Sequence, residues 1–197
     1  MDAKLANGIK LSWGTPVFVI GDPGSAPLDA ELTRAIEERH RRSADSAAHW
    51  VSSPDVLEWP LNTAGALKQK IVGAFGRAQA RVNDGPPYDG RLNVRCWGAV
   101  LAAGHVTASQ RHGQSAWTGV CRVESGSDDV HLVLQDPRPG AGLCQDPFAL
   151  FGQPRRMPMK RGETILFPSW VSHFVDANAA EAPCVFVSFA LATLDLM

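Results

Sequence analysis

Apolar residues recur with two different periods along this chain, and the period changes near its middle. Leu28, Leu32 and Ile36 stand at i, i+4 and i+8, the spacing that lines one face of an α-helix. Asp29 and Glu31 fall in the first turn of that segment and Arg39, Arg41 and Arg42 near its end, so its charges complement the helix dipole. Leu67, Ile71 and Phe75 repeat the spacing, with Asn62 as the expected cap and Asn83 to Pro87 (NDGPP) as the breaker. Ahead of both helices, Trp13 to Ile20 (WGTPVFVI) is β-branched and aromatic and ends in GDPG, which predicts an opening strand followed by a turn. From residue 91 to 192 the pattern is short apolar or alternating runs split by Gly, Pro, Asp and Ser, as in an all-β sandwich or barrel. The expected architecture is one domain over 1–197, mainly β, with a helical N-terminal part (1–90) packed on a β-core (91–197).

Composition narrows the function. At 197 residues, 45% hydrophobic and 20% charged, the chain is long enough to bury a real core. Lys and Arg number 19 against 20 Asp and Glu, so no net field favours polyanions and nucleic acid is not an expected partner. No run approaches the roughly 20 apolar residues that span a bilayer, and the first residues (MDAKLANGIKLSW) lack the apolar centre of a signal peptide. A soluble, cytoplasmic protein without a membrane partner is the expectation. Cys96, Cys121, Cys144 and Cys184 are widely spaced with no Cys-x-x-Cys pair, which fits buried, reduced thiols.

The candidate chemistry sits in the β half. In Lys160 to His173 (KRGETILFPSWVSH), Gly162 suits a tight turn, a short strand follows, and Pro168 stops the ladder so that His173 begins the next strand. An inward His at such a rim can ligate a metal as a neutral imidazole, although a lone His near Trp170 and Phe174 is more often a packed, hydrogen-bonded residue. Upstream, Gln110 and His112 stand two apart and would face the same side of an extended strand, a spacing that suits two ligands of one metal. In Thr118 to Val123, Thr118, Val120 and Arg122 share one face. An inward Arg122 would demand an anion, whereas an outward one could pair with Glu124.

These segments resemble the iron(II)/2-oxoglutarate-dependent oxygenases, in the branch whose central motif runs His-x-His-Pro-x-Ser-x-x-Ser-Gly-Val-Tyr-Tyr-Val. The matching run here is Gln110-Arg111-His112-Gly113-Gln114-Ser115-Ala116-Trp117-Thr118-Gly119-Val120-Cys121-Arg122-Val123, without a gap. Thr15-Pro16, Val51-Ser52-Ser53 to Trp59, Asp136-Pro137-Arg138, Phe167-Pro168-Ser169-Trp170 with His173 and Asn178, and Ser188-Phe189 follow in the family's order.

The resemblance implies a double-stranded β-helix (jelly roll, cupin-like) holding Fe(II) by a facial set of side chains, with 2-oxoglutarate as cosubstrate and hydroxylation of a small-molecule or peptide-like substrate as the outcome. It implies His112 and His173 as metal ligands with Gln110 in the third place, where the family has its leading His. Cys184 stands where the family has an arginine for the distal carboxylate of 2-oxoglutarate, and Arg122, at the second tyrosine of the Tyr-Tyr pair, would take over that carboxylate with Ser188. Trp97, Trp117, Trp170 and Ser115 are the candidates for the substrate pocket, and His105 would substitute for the missing ligand only if a bulge turned it inward. The alternative is a member that has lost redox chemistry with those two residues and serves as a ligand-binding protein or a catalyst of a non-redox step such as a cyclisation or isomerisation.

Overall fold

The computed structural model describes residues 3–4, 10–11, 14–44, 47–82, 88, 90–124, 130–143 and 152–193. Two short strands, β1 (Ala3–Lys4) and β2 (Lys10–Leu11), pair only with each other. The main sheet is built from β3 (Phe18–Gly21), β4 (His49–Val51), β5 (Leu92–Leu101), β6 (Trp117–Glu124), β9 (Glu163–Pro168) and β11 (Cys184–Thr193), in the order β3-β9-β6-β11-β5-β4. A second sheet has the order β10-β7-β8, from β7 (His131–Leu134), β8 (Arg155–Pro158) and β10 (His173–Val175). All pairings in both sheets are antiparallel. The two sheets face each other as a jelly roll.

Alternation along β6 and β11 divides the interior into two cores. Gly119, Cys121 and Val123 with Val185, Val187, Phe189 and Leu191 face α1 (Ala26–Arg42) and α2 (Ala64–Val82), whose Leu28, Leu32, Ile36, Leu67, Ile71 and Phe75 are all buried there. Those six are the residues whose helical spacing predicts the two helices. The opposite face carries Ala99, Leu101, Val120, Ile165, Phe167, Cys184 and Phe186 against Leu132, Leu134 and Val175 of the second sheet. β11 is buried without interruption from Cys184 to Leu191, the mark of a strand covered on both faces.

The N-terminal part differs from its expected helical character in one respect: it also supplies both edge strands of the main sheet, β3 and β4. The opening strand is shorter than predicted, Phe18–Gly21, because Pro16 cannot donate to a ladder; Trp13 and the NDGPP breaker lie outside the described residues. Asn62 does not cap α2 as expected. Glu31 of α1 does so instead: Oε1 accepts from Asn62 N (3.0 Å) and Nδ2 (3.2 Å), and Oε2 accepts from Thr63 N (2.9 Å) and the Thr63 hydroxyl. A carboxylate at a helix N-terminus satisfies orphan N–H groups and the dipole together, and the Thr63 hydroxyl bond holds the Glu31 carboxyl below its ordinary pKa. The helices are further joined by buried Asp29, which accepts from Ser25 Oγ (2.7 Å) and pairs with Lys70 Nζ (3.5 Å). Among the described residues no helix is long and apolar enough to cross a membrane.

Two glycines let these layers close. Ile36 lies directly over Gly98, and the Phe189 ring occupies the space a side chain at Gly119 would need. Gly119→Ala is expected to lower stability by about 1–3 kcal/mol through overpacking, read as a fall in the urea midpoint at unchanged slope.

Candidate metal and cosubstrate site

The site is made where residues 104–112 run antiparallel beside β10 as an irregular fourth strand of the smaller sheet. Gly104 N donates to Asn178 O (2.7 Å), Asn178 N to His105 O (3.1 Å), and Thr107 N to Val175 O (3.0 Å). Gln110 and His173 exchange both backbone bonds, at 2.9 and 3.1 Å. Directly paired antiparallel residues lie on one face, so this register pairs Gln110 with His173 along the backbone, although Gln110 is exposed where His173 is buried. His112 N then donates to Ser169 O (3.3 Å), and a turn closed by Ser115 N to His112 O (2.9 Å) returns the chain to β6. The Gln110–His112 pair is therefore on a bridged loop rather than on the regular strand expected.

The His112 and His173 rings lie 5.5 Å apart, centroid to centroid, inclined by 39°. Each is braced by an aromatic: Trp97 stacks on His112 at 5.2 Å, and Phe167 meets His173 edge-on at 4.9 Å. His173 Nδ1 bonds Val171 O at 3.2 Å, which fixes that nitrogen as the donor and leaves Nε2 with the lone pair. Among the described residues, the Nε2 atoms of both rings are buried without a hydrogen-bond partner, as is Ser188 Oγ. Buried polar atoms are ordinarily satisfied, so three orphans together mark a place for a ligand. A first-row metal at about 2.1 Å from each Nε2 would stand about 3 Å from each centroid, so separations of roughly 4.5–6.5 Å suit a shared ion. Burial lowers the His173 pKa to about 4, with His112 adding to the effect. Burial, and then the nearby charge of Arg95, lowers that of His112. Both imidazoles are thus neutral at pH 7, the form that binds metal.

Strand register arranges the inner wall beneath them in three rows. Arg95, Ala190, Thr118 and Phe167 form the first; Trp97, Ser188, Val120 and Ile165 the second; Ala99, Phe186 and Arg122 the third. Arg122 points inward and is 1% exposed, which removes the surface reading of this residue. Its Nη1 donates to Met159 O and its Nε to Glu124 O (3.3 Å), and its charge reaches the buried Cys184 thiol, whose pKa burial still pushes up to about 11. Arginine and cysteine thus meet at the same end of the barrel.

The other pocket candidates separate. Trp97 lies at the site, and Ser115 lies beside it, within 3.4 Å of Arg95 Nη2. Trp117 is on the opposite face of β6, packed on Phe18 and the helix-side core, because it is one residue out of phase with Thr118. Trp170 is half exposed on the turn before His173. His105 is exposed and bonds Ala103 O (2.8 Å), so no bulge turns it inward. Among the described residues no third His, Cys, Asp or Glu joins the pair. Sequence reasoning missed Arg95 and Phe167 as wall residues; Arg95 shares a strand face with Trp97, and only that spacing of two carried a signal. Cys96, Cys121 and Cys184 are free and buried as expected; Cys144 lies outside the described residues.

Residues 95–190, the span from the first inner-wall row through β11, match the family model described as "Putative 2OG-Fe(II) oxygenase". Among solved structures, a prolyl-4-hydroxylase from Pseudomonas putida is similar at 14% identity and TM-score 0.60, over 90% of this chain and 92% of that one. A Trichoplax adhaerens prolyl hydroxylase, in complex with a hypoxia inducible factor peptide fragment, aligns at 10% identity and TM-score 0.59 over 91% and 84%. The epimerase SnoN, in complex with Fe3+, alpha ketoglutarate and nogalamycin RO, aligns at 12% and 0.60 over 90% and 78%. No curated protein matches in sequence.

The electrostatics yield an expectation for the metal-free protein. A histidine whose folded pKa lies below its unfolded value of about 6.5 binds fewer protons when folded, so stability is lost as pH falls. For His173 the window runs from about 6.5 down to about 4, and the loss is on the order of 2–3 kcal/mol. Urea midpoints measured across that range should drop in the parent and drop less in His173→Gln.

Proposed function

We propose that the chain is a 2OG-Fe(II) oxygenase using Fe(II) and 2-oxoglutarate, a reading supported by the match over residues 95–190 and by the fold, that His112 and His173 hold the iron, and that Gln110 or water takes the third protein-side position. The observation that carries this is a pair of neutral imidazoles with centroids 5.5 Å apart, whose buried Nε2 atoms have no hydrogen-bond partner among the described residues. The backbone bridge from Gln110 to His173 supports its part in this reading, and its exposure leaves room for water in the same position. An amide oxygen is a weaker iron ligand than imidazole or carboxylate, so a modest metal affinity is expected. Bound there, iron and the keto acid supply the oxidising chemistry.

The chain's own residues bind and orient. Arg122, fixed by the Met159 and Glu124 carbonyls, offers the distal carboxylate a cation from the strand next to Cys184. Ser188 stands one row nearer the histidines with an unused hydroxyl, placed to hydrogen-bond the same cosubstrate. Trp97 and Phe167 hold the two imidazoles in orientation and keep water from their apolar sides. Thr118 and Ser169, hydroxyl to hydroxyl at 2.7 Å, tie the inner wall to the turn that precedes His173. The substrate is a small molecule or a peptide-like chain, and the reaction a hydroxylation in the cytoplasm.

The absence of a third His, Cys, Asp or Glu at the pair among the described residues favours one second reading, a non-redox or ligand-binding member. Metal analysis followed by succinate formation from 2-oxoglutarate with supplied Fe(II) separates the two: succinate supports the oxygenase, and metal binding without succinate supports the other. His173→Ala is expected to abolish stoichiometric metal binding, measured by equilibrium dialysis. Arg122→Met, which fills the same volume, should weaken 2-oxoglutarate roughly 10- to 150-fold with metal affinity unchanged; calorimetric titration of the metal-loaded proteins reads both.

A further inference from the structure

The inner wall carries two cations, at opposite ends. Arg122 lies in the deepest row, and Arg95 lies in the first row, at the level of the histidines. Arg95 is half-buried, its guanidinium 5.5 Å from the Trp97 ring, whose own ring stacks on His112 at 5.2 Å. Arginine, tryptophan and histidine therefore stand in one series leading to the metal position. The side-chain hydrogen bond shown for Arg95 goes to Ser115 Oγ at 3.4 Å, and among the described residues no carboxylate forms an ion pair with it.

A guanidinium carries five donors in a planar fork that matches a carboxylate. At its half-buried position one long neutral bond leaves most of that fork free for water or an anion to complete. The net charge of −1 rules out a generally basic surface as the reason for a cation here. Cosubstrate chemistry does not use it either, since the deeper Arg122 and Ser188 serve that carboxylate.

We propose that Arg95, with Ser115 beside it, docks a carboxylate of the primary substrate at the mouth of the metal pocket. The inference rests on the site assignment above and adds the substrate's class: an organic acid or a peptide-like molecule with a free carboxylate. The Trp97 ring stands between the guanidinium and His112, so the reacting carbon lies on the far side of that ring from the carboxylate. Its apolar part lies against Trp97. Arg95 acts here as a specificity-determining residue.

The test uses benzoate as the probe and benzamide as its neutral isostere, with the full chain and ligand-observed NMR titrations. In the metal-free protein benzoate should bind and benzamide should bind at least about 10-fold more weakly. Arg95→Gln should weaken benzoate roughly 10- to 150-fold, Arg95→Lys should fall between, and Ser115→Ala should lose a few-fold. Saturating 2-oxoglutarate should leave benzoate bound. In the Co(II)-loaded protein the benzoate ring protons should show paramagnetic relaxation that Arg95→Gln removes. Equal benzoate affinity in the parent and Arg95→Gln, equal binding of benzamide, or displacement of benzoate by 2-oxoglutarate would overturn the proposal. Arg95-dependent benzoate binding with no relaxation from Co(II) would uphold the anion site while overturning its placement beside a metal, and would count against the histidine assignment instead.

Discussion

Burial of the main sheet on both faces is the constraint from which the rest of this molecule follows. A strand such as β11, covered from Cys184 to Leu191, has no solvent side to which a polar residue can turn. Each side chain must join either the helix-side core or the space between the sheets, and the period of two decides which. Arg122 is inward for that reason, as are Ser188 and Thr118, while Trp117 is turned toward Phe18. The glycines at 98 and 119 belong to the same constraint, because the helix-side layer closes only where Ile36 and the Phe189 ring find no side chain beneath them.

The candidate site adds a second pairing to this frame. Reciprocal bonds between Gln110 and His173, and the bond from His112 to Ser169, hold an irregular segment against β10 without making it a regular strand. Such a segment can present residues at spacings a ladder forbids, which is how His112 reaches over Trp97 toward His173. The dry environment then does the electrostatic work, keeping both imidazoles neutral and leaving their Nε2 atoms without protein partners.

The two inner-wall cations sit in different surroundings. Arg122 is enclosed and oriented by backbone carbonyls, suited to one fixed partner. Arg95 is half-buried and lightly bonded, suited to a partner that comes and goes. Ser188 and Trp97 lie in the row between the two cations.

Local chemistry carried a good part of this in the sequence itself. The apolar spacing of Leu28, Leu32 and Ile36 and of Leu67, Ile71 and Phe75 determined the helices and their buried faces, since a helix has one core-facing stripe whatever it packs on. Gly162 and Pro168 determined the ends of β9, and the ordered motifs pointed to the fold. What only the tertiary structure decided were the choices that alternation leaves degenerate. A period of two says that Thr118, Val120 and Arg122 share a face but not which face, so the inward course of Arg122 required the second sheet to be seen. Glu31 capping a helix that starts 33 residues later, and Gln110 meeting His173, are contacts between segments distant in sequence, and no local propensity encodes them. The same holds for Arg95, an ordinary residue in its strand until the fold brings His112 to its neighbour Trp97.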